Sequence, residues 1–258
     1  MNLDAVIIVL REVLEAALLG SLLLALAHRR GLGRRWFWSA LVVGGAGAWW
    51  YASMIAWVSE LWDYSGQEMV NAGMQLLIFL AFVSVLRSLR DASPSKLPLL
   101  AAMAGMVALA LIRELSEILL YLQSYAANET LAKGVFAGGA IGFVTGTSVG
   151  IMLYFMTLWA VDWAVAQRTI LLILSVVVAG ILMQAVSLLL QVDRLPHAQP
   201  LWDSGGLVEE RSVLGQLLYA LIGYEATPTV WHVGCYVAGL LIMLLLVMRA
   251  NPAQRSAS

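Results

Sequence analysis

The chain has 258 residues, of which 61% are hydrophobic and 12% charged, with a mean hydropathy of +0.85. No soluble domain of this size needs so much apolar residue to fill one core, so the composition defines an integral membrane protein. A formal net charge of −1 offers no basic footprint for nucleic acid, and a single cysteine, Cys235, excludes an intrachain disulfide.

Apolar runs of roughly 20 residues, long enough to cross a bilayer, fall at about 4–27, 36–59, 68–87, 97–122, 134–158, 168–190 and 229–248. The first carries REVLE, Arg11 to Glu15, in its middle. It ends in Ala25-Leu26-Ala27, which resembles a signal-peptidase site, but with no basic n-region and three charges mid-run it reads as a retained helix. The second holds Gly44, Gly45 and Gly47, and the third Gln75. The fourth carries RELSE, Arg113 to Glu117, and the fifth Gly138, Gly139, Gly142, Gly146 and Gly150. The sixth holds Gln184. The connection from about 191 to 228 contains Pro196, Pro200 and the Gly205-Gly206 turn signal, with a short amphipathic piece at 211–223 that lies on or dips into the interface. The expected fold is all-α with seven transmembrane helices.

The connections sort by charge. Arg29, Arg30, Arg34 and Arg35 follow the first span, Arg87, Arg90 and Lys96 the third, Arg168 the fifth, and Arg249 and Arg255 the last. Only Lys133, Arg194 and Arg211 lie on the opposite side, together with Glu60, Asp63, Glu68, Glu129, Asp193, Asp203, Glu209, Glu210 and Glu225. The positive-inside rule then places the N-terminus outside and the C-terminus in the cytoplasm. REVLEAALL and RELSEILLY are offset by 102 residues, and each is followed by a glycine-rich span. Spans 1 to 3 (about 1–90) and 4 to 6 (about 97–190) therefore read as one unit repeated. Because that unit has an odd number of spans, the second copy is inverted, as in many secondary transporters. The glycines themselves are read as close helix packing.

Ionised groups inside a membrane are expensive and mark function by default. On a helix Glu12 and Glu15 share a face, as do Glu114 and Glu117. Arg11 and Glu15, like Arg113 and Glu117, are four apart and are expected to form one orienting salt bridge per helix. At about 1.5 Å per residue both carboxylate sets fall in the outer half of the bilayer and can meet. Four carboxylates against two guanidiniums leave a formal charge of −2, which suits a multivalent hard cation such as Mg, Ca, Mn or ferric iron. The alternative is ion pairs that only neutralise each other and fix register, and the surplus of acid argues against it.

Gln75 and Gln184, at comparable places in spans 3 and 6, are expected either to hydrogen-bond the glutamates or to bridge helices. Glu60, Asp63 and Glu68 form an outer acidic cluster, read as cation capture by focusing or as a solvated loop. Met74, Met103, Met106, Met152, Met156 and Met183 are read as core filling, and Trp36, Trp38, Trp49, Trp50, Trp57 and Trp62 as an aromatic belt. His28, His197 and His232 fall at or beyond span ends. A carboxylate metalloenzyme with histidine ligands is therefore disfavoured, and no organic cofactor is expected. A carrier of another hard divalent cation and a metal sensor remain as alternatives.

Two R-E-x-x-E motifs, one in span 1 and one in span 4 of a seven-span chain, resemble the oxidase-dependent iron transporter family, the high-affinity iron permeases and their bacterial EfeU-like members. PLWDSGGLVEE followed by LLYALIGYEATP resembles that family's late loop. The family motif is Arg-Glu-Gly-Leu-Glu; here Val13 and Leu115 stand in place of its glycine, Ser116 in place of its leucine, and Asn71 where relatives often have Glu. The resemblance implies iron uptake through the inner membrane with Glu12, Glu15, Glu114 and Glu117 as ligands to the iron. It also implies work beside a separate oxidase or periplasmic iron-delivery protein.

Overall fold

The computed structural model describes residues 2–90, 96–159 and 162–250, without the side chains of 129 and 130. Arg255 and the Glu129 side chain, counted above in the charge balance, lie outside the described residues. Among those residues the chain forms helices joined by loops, with one isolated bridge, Pro200 to Thr229.

Helix α1 (Leu3–Arg29) starts where the Asn2 side chain accepts from the backbone N–H groups of Asp4 and Ala5, at 3.0 and 3.4 Å. That cap satisfies donors which have no partner inside the helix. Helix α2 (Arg35–Ser53) breaks at Met54 and continues as α3 (Ile55–Tyr64) at an angle of 65°. The unbroken second span expected over 36–59 is thus a bent pair. The chain leaves α3 through three consecutive left-handed residues, Trp62, Asp63 and Tyr64, with φ of 50, 61 and 64°, a conformation that costs non-glycine residues energy. Helices α4 (Gly66–Ser88), α5 (Lys96–Ala126), α6 (Glu129–Leu158) and α7 (Trp163–Gln191) follow. The start of α7 is fixed by Asp162, whose carboxylate accepts from the N–H groups of Ala164 and Val165 at 2.9 and 3.2 Å. The amphipathic piece is a helix, α8 (Val213–Ile222), capped by Ser212 and ended by Gly223 at φ 70°. Helix α9 (Val230–Arg249) closes the fold.

Among the described residues five helices are long and apolar enough to cross a membrane: α4, α5, α6, α7 and α9. The bent pair α2 and α3 makes a sixth where it crosses as one span. Helix α1, at 27 residues, has the length to span, about 40 Å at 1.5 Å per residue. Arg11, Glu12 and Glu15 interrupt its apolar run.

Each glycine-rich helix packs more extensively on the other motif helix than on the one that precedes it. Helix α6 lies along α1, and α2 lies along α5. A Cβ on Gly142 would stand 2.5 Å from the Val6 carbonyl oxygen and 2.9 Å from the Leu10 nitrogen, and Gly138, Gly146 and Gly150 repeat the close approach one turn at a time along the same stripe. On α2, Gly44 and Gly47 sit against Leu111 and Ile112 of α5 in the same way. The expectation of close packing therefore holds, and small residues let the backbones meet. Helices α1 and α5 also touch each other, as do α4 and α7.

The core runs from Leu19, Leu22 and Leu26 through Phe82 and Leu86 to Met103, Met106, Leu174 and Val178. Met74, Met103, Met106 and Met183 are buried as core filling, but Met152 and Met156 point outward from α6, whose buried stripe is its glycines. Trp38, Trp49, Trp50, Trp57 and Trp62 are exposed, whereas Trp36 departs from the belt and is buried in the core.

Candidate metal centre

The motifs come together because α1 and α5 touch where each carries its charges. Glu12, Glu114 and Glu117 each offer one carboxylate oxygen, and these oxygens all lie within 4.8 Å of one another. Glu12, Glu15 and Glu114 are 1 to 2% exposed. The carboxyls of Glu12 and Glu114 come within hydrogen-bonding reach, and Glu114 Oε2 is buried with no hydrogen-bond partner among the described residues. Facing carboxylate oxygens with no donor between them need a proton or a cation.

The arginines act differently from the sequence expectation. Arg11 donates from Nε to Glu12 Oε1 at 2.8 Å, and its Nη2 bonds the same oxygen. The partner is the next residue rather than Glu15. Arg113 donates from Nε to Glu114 Oε1 at 2.8 Å and from Nη2 to Glu15 Oε2 at 2.6 Å. The partner four residues on, Glu117, is left to the carboxylate group. The i,i+4 rule describes an isolated helix surface; here a second charged helix lies within reach, and the planar fork bridges to it. Glu15 consequently stands apart from the three clustered glutamates and serves to anchor Arg113.

Gln184 and Gln75, both buried, bridge helices rather than touching the glutamates. Gln75 Nε2 donates to Gln184 Oε1 at 3.1 Å, and that oxygen also accepts from Arg113 Nη1 at 3.0 Å. Gln184 Nε2 in turn donates to the Tyr219 carbonyl of α8 at 3.2 Å. Helix α8 is therefore tied to the charged centre through one amide, and Gly223 at its end packs directly on Gly180 of α7. Sequence reasoning did not single out Tyr219; its only signal was a place in an apolar amphipathic piece of an outer loop.

Glu60 and Asp63 are exposed and Glu68 partly buried in the first turn of α4, outside the glutamate group. His197 pairs with Asp193, and His232 bonds Ser187 Oγ and the Thr229 N–H at the start of α9. In the loop between α8 and α9, burial and the neighbouring Glu210 carboxylate push the Glu225 carboxyl up to about 7.

No protein-family model, curated protein or solved structure matches this chain.

Proposed function

We propose that this protein is an inner-membrane permease that imports a hard, multiply charged cation, iron first, through a carboxylate site between α1 and α5. In this reading α1 is a seventh span, and α1 to α4 and α5 to α7 are two inverted copies of one unit. The packing of α6 on α1 and of α2 on α5, with α1 against α5 and α4 against α7, supports the repeat. It pairs corresponding elements across the two halves, as a two-fold relation between copies requires.

The observation that carries the reading is the carboxylate group itself. Oxygens that ligate one cation at about 2.0–2.6 Å can lie up to about 4–5 Å from one another. The oxygens of Glu12, Glu114 and Glu117 lie within 4.8 Å of one another, so they can close on one ion with small movements. The unpartnered Glu114 Oε2 gains a partner when they do. Arg113 and Glu15 hold Glu114 in place, and Arg11 holds Glu12. The net charge of −2 offsets much of the cost of stripping water from the ion in a low-dielectric setting. Iron, as against manganese or calcium, rests on the resemblance of the two motifs to the iron permeases, as does delivery by a separate oxidase or periplasmic protein.

Uptake by purified protein in liposomes, compared for Fe2+, Fe3+, Mn2+ and Zn2+, tests the reading. Iron should accumulate inside, and Glu114→Gln should insert normally yet lose that accumulation. Wild-type liposomes that admit no iron, or a Glu114→Gln variant that transports at the wild-type rate, would remove its basis.

A further inference from the structure

The two motifs are chemically alike but differently engaged. Under the repeat, Arg113 corresponds to Arg11, Glu114 to Glu12, Glu15 to Glu117, and Gln184 to Gln75. Arg113 holds all its counterparts: Glu114, Glu15 and the Gln184 carbonyl. Among the described residues Arg11 holds only Glu12. What Arg11 lacks are Glu117 and the carbonyl of Gln75, and both are unengaged. Glu117 has no ion-pair partner among the described residues, and Gln75 Oε1 is buried with no hydrogen-bond partner.

The orientation of the two amides is forced rather than arbitrary. Arg113 Nη1 requires the oxygen of Gln184, so the Gln184 nitrogen turns to the Tyr219 carbonyl. That oxygen then takes the nitrogen of Gln75, which leaves the Gln75 oxygen facing away. An amide pair of this kind has two arrangements, because only one of its two carbonyls can accept the bond between them. Here the carbonyl that accepts it is also the one that docks an arginine. Exposure follows the same division: the Arg113 side chain is 8% exposed and that of Arg11 26%. Glu117 is partly exposed while Glu114 and Glu15 are buried. The site is covered at its Arg113 end and more exposed at its Arg11 end.

We propose that Gln75 is a positioning residue for transport: in a second conformation Arg11 docks on Gln75 Oε1 and Glu117, as Arg113 docks here on Gln184 Oε1 and Glu15. The Gln75–Gln184 hydrogen bond links the two docks: its acceptor is the amide that holds an arginine, so reversing its donor accompanies the exchange of which arginine seals the site. Each arginine then closes one end while the other is free, which is alternating access in the smallest number of groups. The proposal rests on the permease reading with inverted repeats, and it names which side chains exchange partners.

The test reads conformation without any metal. Tyr121 lies one helical turn beyond Glu117 on α5 and is partly exposed. Tyr121→Cys, in a Cys235→Ser background, reports the open end by its reaction rate with a membrane-impermeant maleimide. Gln184→Met keeps side-chain length but removes the dock for Arg113, so labelling should slow about fivefold or more, the scale of one lost charge-assisted hydrogen bond. Gln75→Met removes the dock used only in the second conformation, so labelling should equal or exceed that of the parent. The double variant has neither dock and should return toward the parent rate, a sign that two independent structural defects would not give. Slowed labelling in Gln75→Met, or a double variant as slow as Gln184→Met, would overturn the proposal. Leucine at both positions serves if the methionine variants do not accumulate. Failure of wild-type iron uptake would sink the permease reading separately, since the labelling asks nothing of the ion.

Discussion

At the scale of single residues, one guanidinium does most of the organising. Arg113 donates to Glu114, Glu15 and Gln184, so its planar fork reaches α1, α5 and α7 at once. Lysine keeps the charge but has no fork. Arg113→Lys should therefore slow iron uptake about tenfold or more, the effect of one lost charged hydrogen bond or two. Arg11→Lys, with a single partner to lose, should slow it less; equal losses at the two positions would contradict this account. Arg113→Met leaves Glu15 and Glu114 uncompensated and should cost about 3–5 kcal/mol, the usual penalty for breaking a buried pair, readable as a lower thermal midpoint. The carboxylates divide as well. Gln in place of Glu12, Glu114 or Glu117 should weaken iron binding strongly, while Glu15→Gln should leave binding and impair assembly of the Arg113 anchor; binding measured in detergent distinguishes them. The sequence made the charged residues legible, because six ionisable groups stand out in apolar runs. It did not make their pairing legible, since spacing along one helix says nothing of what a second helix brings within reach.

At the scale of elements, glycine decides where helices meet. Alanine is the better helix former, yet Gly142→Ala places a methyl 2.5 Å from the Val6 carbonyl oxygen and should lower the thermal midpoint and the yield of assembled protein. Gly45, with nothing within 4 Å of its Cβ position, should accept the same change without loss. Elements outside the spans carry a pH dependence. Glu225 has its pKa raised from 4.5 to about 7, so it binds a proton more tightly folded than unfolded. That contribution is fully present below about pH 4.5 and is lost as pH rises through about 7. Thermal unfolding followed across this window should show a fall in wild-type stability that Glu225→Gln flattens, and parallel curves would remove Glu225 as its source. The helix at 213–222 was legible from its amphipathic pattern, though its ends at Ser212 and Gly223 were not. The break at Met54 was not, because no proline or glycine marks it, and the left-handed turn at 62–64 is built from residues that ordinarily avoid it.

At the scale of the whole molecule, orientation follows from charge. Ten of the fifteen basic residues lie on one side of the expected spans, so the loop between α7 and α8 should face away from the cytoplasm. Leu207, 89% exposed, offers the probe: Leu207→Cys in a Cys235→Ser background should react with an impermeant reagent in intact cells. Reaction only after lysis would reverse the topology. Helical class and membrane location were readable from composition. The exchange by which α6 lies on α1 and α2 on α5 was not, since nothing in a local stretch says which motif helix its glycines will meet.

That exchange sets an order of events during synthesis. In the permease reading α1 reaches the bilayer with Arg11, Glu12 and Glu15 already in it, but the glycine stripe that covers it ends at Gly150, and the anchor for Glu15 is Arg113. At roughly 5–20 residues per second, the ribosome takes on the order of ten seconds to deliver them. During that interval α1 has three charged groups and no finished neighbour to share them with. A nascent chain stalled before α5 emerges should therefore leave α1 at the insertion machinery, or slide it back toward water, and extending the chain past Gly150 should let it settle in lipid.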